Sequence, residues 1–109
     1  MNSIDINTNN IEWVDALSYP QGAKEKVLSI GSDMAPRTIL LKIPAGWKMD
    51  SHSHTHTELH YVLEGEYESQ GETYPSGTFR IIPKEVNHGP FITKTGATIM
   101  VVWCVLKEK

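Results

Sequence analysis

The chain has 109 residues and carries 10 Lys and Arg against 13 Asp and Glu, a formal net charge of −3. That length suits one domain, able to bury roughly two-thirds of its unfolded surface without disulfides, and the charge balance offers no basic footprint for nucleic acid or an anionic membrane surface. One cysteine, Cys104, excludes an internal disulfide and suits a reducing compartment; without a signal-peptide pattern or an apolar run near the ~20 residues that span a bilayer, a soluble cytoplasmic protein is expected.

Residues 1–10 are polar and are expected to fray or to pair as an edge, the N-terminal part of a single domain over 1–109. Helical periodicity is nearly absent beyond them. Short runs rich in β-branched and aromatic residues predict strands over 11–14, 25–30, 37–43, 58–64, 67–69, 78–82 and 97–106. Gly- and Pro-marked turns separate them, as at Tyr19-Pro20-Gln21-Gly22, Ile43-Pro44-Ala45-Gly46 and Tyr74-Pro75-Ser76-Gly77. Many short strands at regular spacing predict an antiparallel sandwich or barrel. The last strand is apolar on both faces (Ile99 to Val105), which places it centrally in a sheet.

Segment 46–65 concentrates the chemistry. Four of the five histidines, His52, His54, His56 and His60, lie there with Glu58, and the fifth is His88. Imidazole and carboxylate suit borderline divalent ions. Two histidines at i and i+2 on an extended segment point the same way, and a carboxylate opening the next strand can complete three ligands on one side. The competing reading is a solvated polar loop. The strand after the histidines is equally two-sided. Leu59, Tyr61 and Leu63 share one face; Glu58, His60 and Glu64 mark the other, with Val62 as the apolar exception. Either the polar face meets water, or Glu58 and His60 line a cavity and the apolar row needs cover from the N-terminal strand or a second subunit. An interior site therefore predicts a homodimer.

The frame around the histidines reads Gly46, five residues, His52, one, His54, three, Glu58, six, Gly65. It resembles the first signature motif of the cupin superfamily without a gap. Pro75-Ser76-Gly77, Pro83 and His88 resemble the second, which here lacks the mid-motif histidine and trailing asparagine. The phrasing of 43–46, 63–65, 74–77 and 83–88 is similar to ChrR-type cupins, the C-terminal domains of zinc-containing anti-sigma factors, and to related small dioxygenases acting on acetylacetone and dihydroxyacetophenone. The resemblance implies an all-β antiparallel jelly-roll barrel in which His52, His54, Glu58 and His88 hold one divalent transition metal (Fe, Zn, Mn or Ni, with Fe(II) favoured for a dioxygenase). In this length no anti-sigma helical domain is expected beside the barrel. A register shifted by two, His54, His56 and His60 with His88, is the internal rival; only the unshifted one sets both framing glycines at their offsets.

In that register His56 falls in the turn. His60 shares the face of Glu58, as a ligand- or substrate-orienting residue, a weak candidate for general base, or a satisfied barrel-lining histidine. Arg80 alternates with Phe79 and Ile81; it either joins His60 in a substrate pocket, where an anionic substrate would need it, or sits at the surface, the more ordinary case. Trp13, Trp47 and Trp103 read as packing residues and Cys104 as core. No nucleophilic-triad or phosphate-loop motif is present. Three functions follow: a dioxygenase acting on a small enolisable or phenolic compound, a Lewis-acid isomerase or hydratase of a sugar or keto acid, and a non-catalytic metal- or ligand-sensing module. All three bind the ion less well as protons compete for imidazole near its ordinary pKa of ~6.5.

Overall fold

The computed structural model describes residues 2–53 and 55–104. Among them lie nine strands: β1 (Val14–Asp15), β2 (Lys24–Ser29), β3 (Arg37–Ile43), β4 (Lys48–Met49), β5 (Thr57–Ser69), β6 (Glu72–Pro75), β7 (Phe79–Ile82), β8 (Phe91–Ile92) and β9 (Ala97–Cys104). Every pairing is antiparallel, in the order β1-β2-β3-β9-β5-β8-β4, with β6 and β7 also on β5. The sheet curls on itself as a jelly roll, and its concave face is the core. One 3-10 turn, Thr8–Asn10, is capped by the side chain of Asn7 and tied to β2 by Lys26 Nζ donating to the Thr8 carbonyl. Residues 2–7 carry no strand.

The strand expected to be central is central: β9 lies between β3 and β5. Its last two expected residues, Val105 and Leu106, fall outside the described ones. On its inner side Ala97, Ile99 and Val101 pack with Ile39, Leu41 and Ile43 of β3 and with Trp47 and Phe91, side chains worth roughly 1.5–3 kcal/mol each when fully buried. Trp47 donates its indole N–H to the Pro20 carbonyl at 3.1 Å, which satisfies its one polar atom. Cys104, expected in the core, is only half-buried.

The two strands expected over 58–64 and 67–69 are one strand of 13 residues. Residues 57–65 of β5 pair with β9, and 58–61 also with β7; residues 66–69 pair with β6 and β8. A register shift between Val62 and Glu64 bulges the strand against β9, and Gly65 follows at φ 70°. A Cβ on Gly65 would lie 2.1 Å from the Gly96 carbonyl oxygen, so only glycine lets the backbones approach here. The bulge adds a residue, and the inward positions change parity: Glu58, His60 and Val62 before it, Tyr67 and Ser69 after it.

Of the two readings of this strand, the water-facing polar row is the one the structure overturns. Glu58 is 3% exposed and His60 7%, while Tyr61 and Leu63 face outward. The outer row continues onto β7, where Ile81 pairs with Leu59 and Phe79 with Tyr61; Phe79 and Ile81 are 57% and 64% exposed. Ile4 and Ile6 of the N-terminal segment are themselves exposed, and the edge strand that follows pairs with β2. No helix among the described residues is long and apolar enough to cross a membrane.

Candidate metal centre

Four of the polar side chains singled out from sequence converge on the inner face from two directions. Glu58 and His60 come from the start of β5. His52 and His88 come from the segments after β4 and β7, which clasp each other through reciprocal backbone bonds: each N–H donates to the other's carbonyl at 2.8 Å. Their rings lie 4.5 Å apart, and Phe91 packs edge-on to His88. His88 Nε2 is 3.8 Å from Glu58 Oε2, and both residues are buried. His54 lies outside the described residues. His56 is exposed at the mouth, its Nδ1 3.1 Å from Thr55 Oγ1.

Hydrogen-bond chemistry fixes the protons on two of these rings. His52 Nδ1 lies 3.0 Å from the Asp50 carbonyl, which only accepts, so Nδ1 carries the proton and Nε2 the lone pair. A histidine ligand has this tautomer when a backbone carbonyl orients it. His60 is engaged at both nitrogens, with Nδ1 2.9 Å from the Tyr67 hydroxyl and Nε2 3.1 Å from Glu58 Oε1. Arg80 Nη1 in turn donates to the Tyr67 hydroxyl at 3.1 Å, and its guanidinium lies over the Tyr74 ring, 3.9 Å from the centroid. Arg80, with a surface position as its more ordinary expectation, is half-buried, because its register partner is His60 and both point inward.

Two hollows meet at this cluster. The inner one, of about 20 Å³, is lined by Glu58, His60, Tyr67, His88 and apolar side chains of β3 and β9; a void of that order holds one water or ion. The outer one, of about 980 Å³, opens at the barrel mouth between Arg37, Trp103, Asp50 and His56. Tyr19, Met49 and His52 line both. Arg80 lines neither. Burial, with Glu58 and Glu25 nearby and Arg37 opposing, raises the Tyr19 pKa well above the ordinary phenol value. Burial likewise raises that of Tyr67, against the opposing Arg80 hydrogen bond and charge. Both phenols stay protonated at neutral pH.

Among the described residues no group of three or more His, Cys, Asp and Glu side chains is arranged to hold an ion, and the described part of the proposed set is three residues. Its donor chemistry nonetheless suits a divalent metal. His52 presents Nε2, and the 3.8 Å between Glu58 Oε2 and His88 Nε2 is within what two bonds of about 2.1 Å can bridge. Sequence pattern alone does not mark Tyr67 or Tyr19 as site residues. The bulge puts Tyr67 on the opposite face from the one strict alternation assigns, and Tyr19 sits in what reads as a plain Pro-Gly turn.

A small antiparallel jelly roll with histidines and a glutamate gathered inside its mouth defines a cupin. The chain belongs to the ChrR cupin-like domain family, whose model matches residues 1–106. It is similar to the anti-sigma-E factor ChrR of Cereibacter sphaeroides, 30% identical over 69 residues, which are 63% of this chain and 32% of that protein. The chain thus spans about a third of that curated relative. Among solved structures it resembles an RmlC-like cupin from Shewanella frigidimarina (TM-score 0.78, 22% identity, 98% of this chain and 95% of that one). It also resembles an acetylacetone dioxygenase from Acinetobacter johnsonii (TM-score 0.73, 16% identity, 94% and 73%). At those identities the two structures share the fold alone.

Proposed function

We propose that this cupin binds one divalent transition metal through His52, His54, Glu58 and His88 and uses it as a dioxygenase on a small enolisable or phenolic compound. The observation that supports this reading is the placement of His52, Glu58 and His88 where a 20 Å³ interior meets a 980 Å³ mouth. The interior has room for an ion, and the mouth has room for a flat organic molecule beside it. The mouth brings aromatic and apolar walls, Trp103, Tyr19 and Met49, with the guanidinium of Arg37 and the carboxylates of Asp33 and Asp50 among its lining groups. When bound, an Fe(II)-type ion would supply charge stabilisation for an enolate or phenolate and open positions where dioxygen meets it, the substrate itself being the compound oxidised. This chain's own residues would hold the ion, keep it out of bulk water and present substrate from one side. Tag-free protein reconstituted with Fe(II) is expected to consume oxygen with at least one diketone, catechol or flavonol, read by an oxygen electrode; no consumption across all three classes would remove the dioxygenase reading.

One observation favours a second reading, a non-catalytic metal- or ligand-sensing module with a protein partner. The interior is nearly filled, so a substrate has no place beside the ion on the inner side, and the curated relative is an anti-sigma factor. Tightly held zinc without oxygen uptake would favour this reading, although it would equally suit the isomerase or hydratase. A ligand that changes affinity for a protein partner would separate the two.

We assign the outward row of Tyr61, Leu63, Phe79 and Ile81, with half-buried Leu59 beside it, to a second copy of the chain, because these four stay exposed among the described residues. Sedimentation at micromolar concentration should return a dimer, and Phe79→Glu with Ile81→Glu should shift it to monomer. A compact native monomer would count heavily against a homodimer.

A further inference from the structure

We infer that Tyr67 and Arg80 position the carboxylate of Glu58 for the ion, acting through His60, although none of the three touches the ion in the reading above. The inference rests on Glu58 being a ligand; its carrier is a chain of three hydrogen bonds, each with one allowed direction.

Arginine has five donors and no acceptor, so Arg80 Nη1 must give the 3.1 Å bond and the Tyr67 oxygen must accept it. The phenol keeps its single proton, since burial raises its pKa, and the other neighbour of its oxygen is His60 Nδ1 at 2.9 Å. Tyr67 therefore donates to Nδ1. A ring nitrogen that accepts carries no proton, which leaves the imidazole proton on Nε2, 3.1 Å from Glu58 Oε1. The carboxylate end fixes the same direction: an ionised Glu58 Oε1 only accepts, so Nε2 donates and a neutral imidazole has Nδ1 left to accept from Tyr67.

Oε1 is thereby occupied by a charge-assisted bond. The other oxygen, Oε2, lies on the side of His88 Nε2. Glu58 is held in one orientation with one oxygen committed inward, the arrangement of a carboxylate that offers a metal a single atom. The far end of the chain is fixed as firmly. Arg80 stacks on Tyr74, and strand register sets His60 opposite Arg80 and Tyr67 opposite Tyr74. An apolar set would fill the same space, whereas a buried polar chain is costly unless every member is satisfied. Each hydrogen bond here fixes the orientation of the next group.

The test uses the full chain with and without cobalt(II). In metal-free native protein, imidazole 15N NMR should find His60 as a single tautomer with the proton on Nε2. Tyr67→Phe removes the donor to Nδ1 and should release that tautomer. It should also weaken cobalt(II) binding, measured by chelator competition, by about 10- to 100-fold and alter the visible absorption of the bound ion. Arg80→Met should move all three readouts in the same direction and supplies them should Tyr67→Phe fail to fold. An unchanged tautomer in a folded variant would overturn the chain itself. A released tautomer with affinity and spectrum unchanged would overturn the positioning role while leaving the metal reading intact. Native protein that binds no cobalt(II) would overturn the metal reading and this proposal with it, even with the tautomer fixed.

Discussion

Replacing His52 and His54 together by alanine is expected to leave a folded protein without stoichiometric metal, as read by elemental analysis of tag-free material. The fold should tolerate the change. What His52 contributes to architecture is its backbone pair with His88, N–H to carbonyl in both directions at 2.8 Å, and alanine retains both bonds. The ligand side cannot tolerate it. Complete four-ligand protein sites for zinc are worth about 10–16 kcal/mol at pH 7. Removing half of such a set should therefore weaken binding by several orders of magnitude, far beyond what retained Glu58 and His88 could offset. A double variant that still purifies with one equivalent of metal would sink the whole site assignment. The native protein should also lose its metal on acidification, because protonated imidazole is not a ligand.

The second large effect is structural. Gly65→Ala would put a Cβ 2.1 Å from the Gly96 carbonyl oxygen and 3.0 Å from the Ala97 Cα, at a φ of 70°. Both obstacles are backbone, so no side chain can swing aside. Either β9 moves away from β5 or the bulge is lost, and the latter would turn Tyr67 off the inner face. The expected cost is about 4 kcal/mol or more, in the range reserved for overpacking combined with backbone strain. That is a large share of the 5–15 kcal/mol of a typical domain and should lower Tm by roughly 15 °C or prevent folding. Gly46→Ala is the control. Gly46 also has positive φ, 83°, but nothing lies within 4 Å of its Cβ position, so it should cost only about 1 kcal/mol. Similar melting temperatures for the two variants would mean that the close approach at Gly65 is not a constraint.

The sequence made the barrel legible because strand periodicity, Gly/Pro punctuation and the two motifs all agreed. The histidines were legible as a cluster, and the framing glycines indicated a register. Three features were not legible, for physical reasons. Strict alternation assumes an unbroken pleat, and the bulge before Gly65 breaks it, so Tyr67 could not be placed and β5 read as two strands. Polar residues on an alternating strand ordinarily face water. Glu58 and His60 do not, and what makes their burial tolerable is Tyr67 and Arg80, whose contribution appears only in three dimensions. Strands of two residues, β4 and β8, carry too little pattern to stand out, yet they set the spacing between the His52 segment and Phe91 beneath it.

The pairing of His52 with His88 has one further consequence. These residues stand 36 positions apart in the chain, and between β4 and β5 on one side and β7 and β8 on the other their backbone bridge is the strand-type link that joins the two segments. An ion held by both side chains would act as a rivet through that joint, closing a long loop whose entropy the native contacts otherwise bear alone. Loading would then be felt mainly as a stiffening of the barrel's rim, so that the mouth through which a ligand must pass would be shaped by whether the ion is already there.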